Sequence, residues 1–197
     1  AKGFALVAAA APELRRAYCT LPRPHLYEYP TSVASVAVER EVGGEWAVLA
    51  VRAADPAGRP LADTARLIRA GQEQPVAGVR EFRRALRMSR LPRAVRRPLW
   101  WLALNWGRVR PNYFGTFGVT SYAALGAESL HPISPLTYTL TYGAVGAGGA
   151  TDVRVVYDHR VADGATIARA LVALEAALNG PVADELRGMG GPYRMSA

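Results

Sequence analysis

The sequence predicts an α/β domain, and three observations carry that expectation. Residues 33–38, 46–51 and 153–157 alternate apolar side chains with polar or smaller ones, the period-two signature of half-buried strands. Leu61, Ala65 and Ile68, and later Ile167, Leu171, Leu174 and Leu178, recur at the spacing of one helix face. Between Val153 and Leu178 the period switches from strand to helix across a single heptad, Asp158-His159-Arg160-Val161-Ala162-Asp163-Gly164.

Taken in order, residues 1–11 are helical in composition, and Pro12 starts a second short helical piece, PELRRAY. Residues 20–31, TLPRPHLYEYPT, read as a proline-rich loop whose His25 is a surface or packing residue. The strands at 33–38 and 46–51 are separated by a Gly43-Gly44 turn. The helix that begins near Leu61 is expected to end at Gly71. Two amphipathic patterns follow: Val79, Phe82 and Leu86, then, beyond a break at Pro92, Val95, Leu99, Leu102 and Trp106. In the last strand-to-helix unit, His159 emerges at the end of a rigid strand and Asp163 can cap the helix that follows. Asn179-Gly180 supplies a C-cap for that helix. Residues 181–197 show no periodicity and read as a tail, or as an arm that orders against another subunit.

Composition sets the bounds. At 197 residues the chain is one domain's worth, with half its residues apolar and a fifth charged. No apolar run approaches the ~20 residues of a membrane span, no signal peptide is visible, and the single Cys19 excludes an internal disulfide framework. The default expectation is cytoplasmic. The formal charge of +8 is concentrated: residues 79–110 hold ten arginines against the one acid Glu81. A charge confined to one segment without a recognition motif argues against nucleic acid as a partner. Three histidines and one cysteine without ligand spacing argue against a bound metal.

The heptad DHRVADG resembles the His-x-x-x-Asp-Gly signature of the chloramphenicol acetyltransferase and dihydrolipoyl acyltransferase superfamily, and is most like the catalytic domain of the 2-oxoacid dehydrogenase acyltransferases. Further blocks occur in the family's order. The strand at 33–38 resembles the family's "VGIAV", and RAADPAGRPLADTARLIRAG resembles its "IRDAD…SLAEIA". GTFGVTS over 115–121 resembles "GTFTISN", and HPISPLTYTLTYGAV over 131–145 resembles "TPIINPPQAAILGVG", a loop and core strand. His131 falls in that loop and reads as structural. The resemblance runs from Ala1 to about Gly180, and residues 75–110 diverge from it.

The resemblance implies a two-layer α/β sandwich of the CoA-dependent acyltransferase type, with a mixed sheet packed on helices. It further implies that an opening strand and helix of that fold precede Ala1, so that the chain is N-terminally truncated. Residues 1–180 then form the catalytic domain and 181–197 a C-terminal tail. In this reading His159 is the general base, Thr120 donates a hydroxyl to the oxyanion, and Asp163 is chiefly structural, holding the active-site loop through an arginine. Ser121 is the neighbouring fallback; on a strand it faces the opposite side from Thr120, so both cannot serve. Coenzyme A or an acyl-CoA is the implied acyl carrier, with lipoamide as the family's commonest acyl partner. The implied assembly is a homo-trimer, with the histidine from one subunit and the hydroxyl from the next, and in many relatives a cage built of trimers. The alternative is a non-catalytic scaffold or cage-forming protein that retains the fold. For the basic segment three readings stay open: a helical hairpin packed on its own domain or on a neighbouring subunit, a Trp-rich interfacial helix touching anionic membrane through 79–110, or a cover for a CoA phosphate or an acyl chain.

Overall fold

The structure, a computed structural model, describes residues 1–189. Its centre is a mixed five-stranded sheet formed by β3 (Val33–Val42), β4 (Glu45–Ala54), β5 (Phe117–Ser121), β6 (Tyr138–Tyr142) and β7 (Val153–Tyr157). The strand order is β4-β3-β5-β6-β7. The β3–β4 and β6–β7 pairs are antiparallel, and β3–β5 and β5–β6 are parallel. Gly43 and Gly44, both at positive φ (64° and 85°), make the tight β3–β4 turn that the sequence places there. Both strands run longer than the alternation alone indicates.

One face of the sheet carries the main core. Phe117 on β5 and Tyr138 and Leu140 on β6 meet Phe4 and Ala8 of α1 (Lys2–Ala10), and Ile167 and Leu174 of α5 (Gly164–Ala177). The Phe4 ring lies 4.8 Å from Phe117 and 6.0 Å from Tyr138, in the tilted geometry aromatic pairs favour. A second cluster joins Val38, Leu49 and Val51 to Phe82, where α2 (Leu61–Glu73) and α3 (Arg80–Ser89) pack at the β3–β4 end.

Several expectations are corrected. Gly71 does not end α2, which continues to Glu73; Gly71 is buried inside it because a Cβ there would overlap the Cγ2 of Val51. The glycine permits close helix–strand approach rather than termination. Gly71→Ala is therefore expected to destabilise the fold by ~1–3 kcal/mol through overpacking. That exceeds the ~1 kcal/mol gained from helix propensity. A denaturant midpoint unchanged or raised would refute it.

The helical reading of 12–18 holds only for a 3₁₀ turn, Pro12–Arg15. The chain then forms β1 (Arg16–Cys19), which pairs with β2 (His25–Glu28) in a separate antiparallel ribbon, so a third of the stretch read as loop is strand. Cys19 is fully buried beside Ala17 and Tyr29, a core residue as expected. At the other end, Gly180 does not supply a left-handed cap. A π-turn over Leu178–Val182, with Gly180 non-helical (φ −102°, ψ −107°), leads directly into α6 (Ala183–Gly188). Side-chain bonds fix α6 where periodicity gives no signal: Glu185 pairs with Lys2 at 2.6 Å and accepts from the Leu61 amide at 2.6 Å. The rest of the expected tail, 190–197, lies outside the described residues.

The divergent segment is a helical hairpin of α3 and α4 (Arg93–Asn105), with Pro92 at the start of α4. Its apolar stripe is not spent on the domain's own core. Phe82 and Ala103 are buried, whereas Val95, Leu99, Leu102 and Trp106 are 40–52% exposed. No helix among the described residues is long and apolar enough to cross a membrane.

Candidate active site

The strand-to-helix heptad forms the loop that the sequence indicates. Asp158 still pairs with the sheet, its amide donating to Thr137 O at 2.9 Å. The Asp158 carbonyl then accepts from the Val161 amide at 2.9 Å, and its carboxylate from the Arg160 amide at 3.0 Å. Asp163 caps α5, its Oδ1 accepting from the Thr166 amide at 2.7 Å. His159 thus sits in a turn tied on both sides, with its side chain exposed. Its Nε2 lies 3.2 Å from the Tyr157 hydroxyl, and the two rings are 4.9 Å apart. Tyr157 precedes His159 by two residues, so a strand-end aromatic was legible there, but nothing in the sequence marked it as the histidine's partner.

Asp158 and Arg160 brace the turn as a two-pronged pair, with bonds of 2.9 and 2.7 Å, and Arg160 stacks over the Tyr18 ring at 4.4 Å. The Arg160 guanidinium, more than any other cause, holds the Asp158 carboxyl below the usual carboxylate range, and the same bond raises Arg160. A carboxyl lowered by folding stabilises the fold fully above its unfolded value of ~3.9 and loses that contribution as pH falls through the lower folded value. Asp158→Asn is thus expected to flatten the acid limb of stability below about pH 4 in urea melts. An acid limb as steep as the parent's would count against the pairing.

Beside this turn, Tyr157, Asp158 and Arg160 line a cavity of ≈ 420 Å³ together with Tyr18, Arg110 and Thr139. Arg110 is 7% exposed and reaches Pro135 O at 2.6 Å and Tyr18 O at 3.4 Å. The buried Thr139 hydroxyl has no hydrogen-bond partner among the described residues. The sequence did not single out either residue: Arg110 is one of ten arginines in its segment, and Thr139 looks like any strand threonine.

Asp163 forms no ion pair among the described residues. Its carboxyl is lowered chiefly by the Thr166 amide, so its observed role is the helix cap rather than an arginine clamp. His25 starts β2 with Nδ1 2.6 Å from Arg23 O, and His131 is exposed in the β5–β6 connection. Neither joins His159. No group of three or more potential metal ligands occurs among the described residues.

The two hydroxyls on β5 separate cleanly. Ser121 is committed, donating to Tyr142 O at 2.9 Å and accepting from the Ala123 amide at 3.1 Å. The half-buried Thr120 hydroxyl makes no hydrogen bond among the described residues. Phe117 and Val119 point into the helical core, so alternation sends Thr120 to the sheet's other face.

Thr120 and His159 do not meet within the chain. Thr120 shares a row with Thr141 and Arg154, whereas Phe117, Tyr138 and Tyr157 share the row at the opposite end. His159 lies beyond that end. At ~3.3 Å per residue along a strand and ~4.8 Å between strands, the two positions are roughly 15–20 Å apart.

The fold is similar to that of dihydrolipoamide acetyltransferase cores. A probable dihydrolipoamide acetyltransferase from Listeria monocytogenes 4b F2365 superposes with a TM-score of 0.56 at 19% identity, over 90% of this chain and 67% of its own. The cubic core of the pyruvate dehydrogenase multienzyme complex superposes at 0.56 and 17% identity, over 94% of this chain and 68% of its own. The Azotobacter vinelandii dihydrolipoamide acetyltransferase, in whose catalytic mechanism a serine, a histidine and an asparagine have been investigated, gives 0.55 and 17% identity, over 94% and 68%. No protein-family model matches the chain, and no curated protein matches it.

Proposed function

We propose that the chain is an acyltransferase acting on coenzyme A thioesters, with His159 as general base and Thr120 as oxyanion donor. The observation that carries the reading is an exposed histidine in a braced turn between β7 and α5, on a fold similar to that of acetyltransferase cores. In the proposed reaction a His159 ring nitrogen takes the proton of the attacking thiol, hydroxyl or amine. The nucleophile adds to the thioester carbonyl, and the Thr120 hydroxyl donates to the resulting oxyanion. Collapse breaks the carbon–sulfur bond, and the departing thiolate recovers the proton from His159. In the Azotobacter protein the residues investigated for a catalytic role are a serine, a histidine and an asparagine four positions after it, and this chain has Asp163 four positions after His159.

Because Thr120 and His159 lie at opposite ends of the sheet, the proposed site is shared between copies, with a homo-trimer as the unit. A cage of such trimers is the larger assembly suggested by the cubic-core relative. The acyl acceptor is lipoamide or another thiol, hydroxyl or amine. Light scattering over a range of concentrations tests the assembly. A mass of three chains, or a multiple of three, supports the reading; a stable monomer overturns it.

The second reading is a scaffold that keeps the fold without catalysis. One observation favours it: the Asp163 carboxylate is committed to capping α5 and forms no ion pair with an arginine among the described residues. Saturable binding of coenzyme A would count against the scaffold, and its absence would count for it.

A further inference from the structure

The α3–α4 hairpin does not lie flat on the sheet. It encloses, with β4 and the Tyr113–Phe114 pair, a cavity of ≈ 740 Å³, within the range of small-ligand sites. Its walls are apolar: Ala50 from β4, Ala85 and Met88 from α3, and Leu99 and Trp100 from α4, with Trp100 edge-on to Phe114 at 5.2 Å. Leu104 lines both this cavity and the smaller one beside His159.

The charge around it is one-sided. Arg52 is offset by Glu81 at 3.2 Å. Among the described residues Arg84 and Arg96 bond only neutral groups: Arg84 reaches Asn112 O at 3.2 Å and stacks on Tyr113 at 3.5 Å, and Arg96 reaches Ser89 O at 2.8 Å. Arg97 is exposed and forms no hydrogen bond or ion pair among the described residues. Three guanidiniums without a carboxylate thus border an apolar chamber. We infer that this cavity is a binding site for a single-chain amphipathic anion, a long-chain fatty acyl carboxylate whose tail fills the space between α3, α4 and β4 and whose head meets Arg84, Arg96 and Arg97. A guanidinium fork suits a carboxylate, and a concave apolar space of this size suits one tail better than a flat bilayer surface does.

The experiment is tryptophan fluorescence of the full chain, with Trp46 and Trp106 replaced by Phe, titrated with a brominated stearate, which quenches the chamber's Trp100 and Trp101 only on contact. Saturable quenching at one ligand per chain is expected. Unbrominated C12 to C16 carboxylates should displace the probe two- to fourfold more tightly per added methylene. Arg97→Glu is expected to weaken binding about tenfold or more. Ala85→Phe, at an exposed helix position, should fill the chamber and abolish quenching with an unchanged melt. His159→Ala should bind like the parent, so failure here is separable from failure of the acyltransferase reading. The inference is overturned by unsaturable quenching, by affinity independent of chain length, or by an Ala85→Phe variant that binds as the parent does. Co-sedimentation with phosphatidylglycerol vesicles that Ala85→Phe leaves intact, without binding of the monomeric carboxylates, would assign the basic hairpin to a membrane surface instead.

Discussion

Replacing His159 with alanine is expected to lower acyl transfer from an acyl-CoA thioester by ~10²–10⁴-fold, the usual worth of a positioned general base. The substitution is clean because of how the turn is built. The backbone of residues 158–163 is held by the Asp158 carbonyl and carboxylate and by the Asp163 cap, none of which uses the imidazole. The side chain is exposed and, among the described residues, bonds and stacks with Tyr157 alone, so assembly and melting temperature should be unchanged. Tyr157→Phe distinguishes base from positioning. It removes the hydroxyl 3.2 Å from Nε2 while keeping the ring, and is expected to cost less than His159→Ala. Full activity in the alanine variant would remove the assignment of His159 as the base, whereas no transfer by the parent chain itself would leave the scaffold reading standing.

How much of this was readable from the chain follows the range of the forces involved. The β3–β4 turn, the switch from β7 to α5 and the Asp163 cap are local, written in glycine φ preferences, side-chain period and a hydrogen bond over three residues. The sequence accordingly placed His159 and Asp163 correctly in the same loop. Gly71 was misread because a glycine near the end of a helical pattern is usually a cap, and only Val51, twenty positions earlier in the chain, explains it. The same holds for α6, held by Lys2 and Leu61 rather than by its own pattern. The apolar stripe of α4 was legible as helix, but its exposure was not, because periodicity marks a face without saying what covers it. At the candidate site, Arg110 and Thr139 come from long-range packing and have no local signature. The resemblance put Thr120 ahead of Ser121, but the β6 carbonyl that engages Ser121 had no local signature either.

The second large effect concerns Thr120, and it separates a shared site from a site within one chain. Thr120→Val keeps the shape of the side chain and deletes the hydroxyl, and is expected to lower kcat by ~10²–10³-fold, the cost of losing one oxyanion donor. Alone, that loss does not say which chain's histidine the hydroxyl serves. Coexpression of Thr120→Val with His159→Ala does. If His159 and Thr120 acted within one chain, every chain in the mixture would carry one defect, and activity would stay at the level of the single variants. In a ring where each interface takes its histidine from one copy and its hydroxyl from the next, an intact site forms wherever a Thr120→Val chain supplies the histidine and a His159→Ala chain the hydroxyl. With equal amounts and random assembly that is about a quarter of the interfaces, so activity should recover to about a quarter of the parent's. The separation of the Phe117–Tyr138–Tyr157 row from the Thr120–Thr141–Arg154 row makes this the expected result. Recovery in a mixture that runs as monomers would contradict the trimer, and no recovery in an assembled mixture would contradict the pairing of Thr120 with His159.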